Sequence, residues 1–83
     1  MTGIASTKQG PRNMKTRYRF IHFDQYLDKQ WRCISNAIPR TVLGKCEYFA
    51  PWKQWQFCPE PNTGYTIDCL QDIVHFLSQL EKP

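Results

Sequence analysis

Eighty-three residues with 11 basic and 7 acidic side chains, a formal charge of +4, leave room for one domain only. No apolar run is long enough to span a bilayer and no signal-peptide core lies near the start, so the chain reads as soluble and cytoplasmic, with reduced cysteines and no membrane partner. Its four glycines are isolated, which excludes a glycine-rich phosphate loop.

Residues 1–14 are rich in Gly, Ser, Thr and Lys and nearly free of large apolar groups, and read as a flexible basic arm ahead of a single small domain over 15–83. Residues 1–19 hold Lys8, Arg12, Lys15, Arg17 and Arg19 and no acid, so the positive charge gathers at this end. The aromatic, alternating run Arg17–Phe23 predicts a first strand, and "DQYLDK" after it predicts a turn. Gln30–Ser35 predicts a second strand, and "NAIPR" a connection. Thr41–Phe49 predicts a third, in which Gly44 marks a bulge or a close approach by another group. Pro51 stops it, and Lys53–Phe57 predicts a fourth, closed by Pro59. From Thr66 the period changes. Leu70, Ile73, Leu77 and Leu80, flanked by Val74 and Phe76, predict an amphipathic helix. Thr66 is its expected N-cap, Asp68 and Asp72 complement its start, and Lys82 falls in its last turn.

One helix with one apolar face must bury that face on the sheet, so the expected fold is α+β: a three- to four-stranded antiparallel sheet with a C-terminal helix across one side. Alternation puts Trp31, Cys33, Cys46, Tyr48, Trp55 and Phe57 under the helix, joined by Tyr18 and Phe20. The opposite face then displays Arg17, Arg19, Arg32, Lys45, Glu47, Gln54 and Gln56. A hairpin turning symmetrically at Pro39–Arg40 sets Arg32 across from Glu47.

Cys33, Cys46, Cys58 and Cys69 lack the close pairing of structural zinc ligands and read as buried thiols, not as a metal site. His22 and His75 have no nucleophile placed beside them, and no other catalytic constellation or cofactor motif stands out; the chain reads as a non-enzyme. The better candidate is binding. Arg17, Arg19, Arg32 and Lys45 suit phosphates or carboxylates, and Gln54 and Gln56 suit polar edges. Trp52 and Lys53 fall in the turn before the fourth strand, outside the core pattern. An exposed Trp beside a Lys is the composition of a base-stacking or protein-binding hot spot. The plainer reading is that Trp52 packs on the helix end or edge strand and the charges form a solvated face.

Leu43-Gly44, then Cys46 and Tyr48, then "PWKQWQFCP" and "CLQDIVHFL" resemble a group of small bacteriophage and prophage proteins over roughly Trp31–Leu80, with Lys53 for the usual arginine and Trp55 for the usual tyrosine. The resemblance implies a phage-type origin and a sheet-plus-helix fold, and carries over no catalytic or binding residue. The expected function is a phage-type binding protein in a bacterial cytoplasm that engages a host protein, for instance to inhibit a defence or regulatory factor. Two alternatives stand beside it: a nucleic-acid or nucleotide binder, including one that sequesters nucleotide, and a structural module that self-associates as a homodimer.

Overall fold

Four runs dense in aromatic and β-branched residues become strands, and the chain turns helical where its apolar period changes. The computed structural model describes residues 14–81. The strands β1 (Ile21–Leu27), β2 (Gln30–Ser35), β3 (Val42–Phe49) and β4 (Gln54–Pro59) form one antiparallel sheet in the order β1-β2-β3-β4. Helix α1 (Ile67–Glu81) packs on one face, completing the α+β fold. Thr66 caps it as expected, its Oγ1 accepting the Cys69 N–H at 3.2 Å. The expected arm lies outside the described residues apart from Met14, which packs against the core, and so does Lys82.

The core centres on Phe76, which is fully buried. Its ring lies parallel to Phe23, centroids 3.9 Å apart, and Trp31 meets it edge-on at 5.1 Å. Ile21, Cys33, Cys46 and Ile73 complete the buried layer, with Tyr18 at its border. Trp31, Cys33 and Cys46 therefore sit under the helix as alternation indicates. Tyr48, Trp55 and Phe57 share that side of the sheet but are only half-buried, because they belong to its far strands and outer end.

The first strand is displaced from Arg17–Phe23 to Ile21–Leu27. A turn explains it. The Tyr18 N–H donates to the Ile21 carbonyl, so residues 16–20 double back beside β1, with Arg17 bridged to His22. The reversal breaks the alternation across Phe20. That residue points outward, 42% exposed, and Ile21 and Phe23 take the core positions. The expected "DQYLDK" turn shrinks to Asp28–Lys29, and Asp24–Leu27 stays in the strand.

Asn36 holds the reversed segment in place. Its Nδ2 donates to the Tyr18 and Arg19 carbonyls at 2.9 and 3.3 Å, and its backbone N–H to Phe20 at 2.9 Å. With that amide so oriented, Oδ1 accepts the Nδ1 proton of the buried His22 at 2.6 Å. On the helix side, the Tyr18 hydroxyl meets His75 Nδ1 at 2.8 Å and Gln79 Nε2 at 3.1 Å. These bonds satisfy polar groups that the fold partly removes from water.

The register of β2 on β3 also departs from expectation. Arg32 lies across from Lys45, and Gln30 takes the place opposite Glu47. The connection is not symmetric about Pro39–Arg40. Ser35 N–H bonds the Thr41 carbonyl, and the ladder shifts between Cys33 and Ile34, leaving Leu43 as the extra residue of a bulge. On α1 the inward line runs through Cys69, Ile73, Phe76, Leu77 and Leu80, while Leu70 and Val74, expected within or beside the apolar stripe, are exposed.

Both sheet edges are partly occupied. At β1, Phe23 N–H donates to the Thr16 carbonyl. At β4, Trp55 N–H donates to the Glu81 carboxylate, and Pro59 has no N–H to offer.

Gly44 combines both roles its place in a strand suggests, a bulge beside it and a close approach to it. A β-carbon there would lie 2.6 Å from the Cys58 carbonyl oxygen and 2.6 Å from the Phe57 ring. The carbonyl is backbone and cannot rotate away. Gly44→Ala is expected to cost about 1–3 kcal/mol through overpacking. Urea denaturation of the two proteins checks it, and an unchanged midpoint contradicts the close approach.

Candidate binding surface

Because α1 covers one side of the sheet, the other side has no element over it among the described residues. Register decides what it displays. Asp24, Arg32, Lys45 and Cys58 form one row across all four strands. Gln30, Glu47 and Gln56 form the next, and Phe49 pairs with Gln54 at the end of the sheet. Arg17, bridged to His22, reaches the same face from the β1 edge.

The structure thus gathers Arg17, Arg32, Lys45, Gln54 and Gln56 on one side. It does not gather Arg19 with them. The turn at residues 18–21 sends Arg19 to the helix side, beside Asp68 and Asp72. The cations that remain are not isolated. Lys45 Nζ sits 3.2 Å from Glu47, whose charge and hydrogen bond hold the Lys45 pKa above its ordinary value. Arg32 shares its row with Asp24 and lies over the Tyr26 ring at 5.0 Å. The face is mixed in charge, and the Arg32 guanidinium lies over an aromatic ring.

Trp52 and Lys53 occupy the turn between β3 and β4. Lys53 adopts φ 55°, a left-handed conformation unusual outside glycine and asparagine, which tightens the turn. Trp52 is 73% exposed. Its only aromatic neighbour among the described residues is Phe49, which it meets edge-on at 5.3 Å, and Phe49 belongs to the same uncovered face. The plainer reading, that Trp52 packs on the helix end or edge strand, is therefore not met. The turn adds an apolar corner to a polar face.

The aromatic members of this surface, Phe49 and Tyr26, are absent from the sequence-based candidates, as are Asp24, Gln30 and Cys58. Phe49 shares the parity of Lys45 and Glu47, so alternation could have found it. Tyr26 needed the true extent of β1, which the reversal before it conceals.

The thiols are divided. Cys33 and Cys46 are fully buried, and burial pushes both up to about 12. Cys58 and Cys69 are half-buried, and burial also raises Cys58. Among the described residues no group of three His, Cys, Asp or Glu side chains is placed to hold a metal ion, and no helix is long and apolar enough to cross a membrane. No family model, curated protein or solved structure matches the chain.

The buried acids set a pH dependence. In the unfolded chain a thiol releases its proton near 9.0 and a phenol near 10.0; in the fold Cys33, Cys46 and Tyr18 hold theirs to about 12. For Tyr18 burial is the main cause, aided by the charge of Asp72. Folded protein then binds more protons than unfolded protein in this window, so the contribution is complete below pH 9 and is lost as pH rises toward 12. Thermal melts from pH 8 to 12 should show this fall, with a shallower slope in Cys33→Val. Equal slopes contradict the assignment.

Proposed function

We propose that this chain is a non-enzymatic binding protein of phage type that engages a host protein in the bacterial cytoplasm through the uncovered sheet face, with Trp52 as its anchor. The observation that carries this reading is the exposure of Trp52, at 73%, against Phe49 at one end of that face. A tryptophan left in water on a small domain stabilises nothing it could not stabilise better inside; at an interface it is the side chain most often found to dominate affinity. Lys53, Gln54, Gln56, Arg32 and Lys45 extend the surface behind it as a polar field. Inhibition of a defence or regulatory factor is the form of engagement we favour, because the likeness to phage and prophage proteins supports an origin in which such inhibitors arise.

A protein partner suits this surface better than a nucleic acid. Asp24 stands in the same row as Arg32 and Lys45, and Glu47 in the next row beside Lys45; both would repel phosphates that the two cations attract. Opposed charges in adjacent rows are the pattern of a protein interface, where they set register and specificity.

Affinity capture from bacterial host lysate with the full chain, with Trp52→Ala and with Arg32→Ala tests the reading. The full chain should retain a saturable protein, and Trp52→Ala should lose at least 2 kcal/mol, roughly a thirtyfold weakening. Capture of nuclease-sensitive material with steep salt dependence replaces the proposal with the nucleic-acid one. Retention undiminished by Trp52→Ala removes Trp52 as the anchor.

A further inference from the structure

On the helix side, away from the uncovered face, the reversed segment and the start of α1 leave a cleft of about 510 Å³ between them. Its walls are apolar, from Phe20, Ile21 and Leu43, and the half-buried Cys69 closes it on the helix side. Arg19 is the single charged residue in the lining. Among the described residues no carboxylate lies within ion-pair distance of Arg19. From these we infer that the cleft binds a small amphipathic monoanion, an apolar ring or chain seated on Phe20, Ile21 and Leu43 with its carboxylate or sulfonate on Arg19.

Three features carry the chemistry. Size comes first: sites for small molecules usually enclose about 300–1,000 Å³ behind apolar walls with few polar groups. Second, the cation is held in advance. Arg19 lies over the Phe20 ring at 5.0 Å, and Asn36 ties down the carbonyls of Tyr18, Arg19 and Phe20 in succession. A guanidinium set on a fixed main chain and resting on an aromatic ring loses less freedom when it takes a planar anion. Third, the number of charges is restricted. Arg19 also lines a neighbouring recess with Asp68 and Asp72, so a second negative charge on the ligand would lie in the repulsive field of two nearby carboxylates.

The probes are 1-naphthalenesulfonate, 1-naphthyl phosphate and 1-naphthylmethanol: one ring carrying one charge, up to two charges, or none. Each is titrated into the full chain, followed by amide chemical shifts and by the alkylation rate of each cysteine. Sulfonate should bind saturably, move the amides of Arg19, Gly64 and Cys69, and slow alkylation at Cys69 but not at Cys58. Phosphate and alcohol should bind more weakly. Arg19→Gln, a change at an exposed side chain, should weaken the sulfonate about tenfold or more while leaving the alcohol unchanged. The inference is overturned by non-saturable shifts, by equal affinity for sulfonate and alcohol, by tighter binding of the phosphate, or by an Arg19→Gln protein that binds sulfonate as the native chain does. Because Trp52 and Arg32 lie outside the cleft, neither result depends on the partner assigned to the sheet face.

Discussion

Phe76 joins the two halves of this molecule. It stands between Phe23 of β1 and Trp31 of β2, stacked on one and met edge-on by the other, and it is the largest fully buried side chain on α1. A domain this small buries only about 60% of its unfolded surface, so each large contact counts for more than in a bigger protein. Aromatic pairs add roughly 0.5–1.5 kcal/mol beyond their area. Around this contact the remaining links between helix and sheet fall into place: Tyr18 with His75 and Gln79 on the β1 side, and Glu81 with Trp55 on the β4 side. The helix is clamped at its middle and tethered along both flanks.

With the only helix among the described residues committed to one face, the character of the other face follows. It must survive in water, so it carries Asp24, Arg32, Lys45, Glu47, Gln54 and Gln56. Against that background Trp52 has no structural account beyond its contact with Phe49. The fold would stand with a smaller residue in the turn, which is why a role in binding is the more economical reading. The helix side has a different economy. There the reversal of residues 16–20 spends an aromatic, Phe20, on the wall of a cleft rather than in the core, and Ile21 supplies the lost burial.

Legibility in the sequence followed the locality of the cause. The helix, its Thr66 cap and three of the four strands rest on short-range periodicity and were readable within a few residues at their ends. Trp31, Cys33 and Cys46 were correctly placed because alternation holds through β2 and the middle of β3. Phe20, Arg19 and the pairing of Arg32 were misplaced because each depends on a break in periodicity. A turn at Tyr18–Ile21 and a bulge at Leu43 each reset the parity, and neither carries a glycine or proline at the residue that does so. Gly44 advertised the close approach beside the bulge, though not the direction of the register shift. On the candidate surface, the rows of opposed charge could only be seen once register was known. The place of Trp52 in the turn, outside the alternation, left its exposure open until the structure showed it.

The treatment of the β4 edge reaches beyond the folded monomer. An open strand is a template on which another chain can lengthen the sheet. Pro59 withholds one donor, and Glu81 occupies another from the last residue of the described helix. The helix terminus therefore acts as a gatekeeper against aggregation as well as a packing element. Fraying of a single helical turn, which would leave most of the core intact, would uncover a strand able to recruit its neighbours.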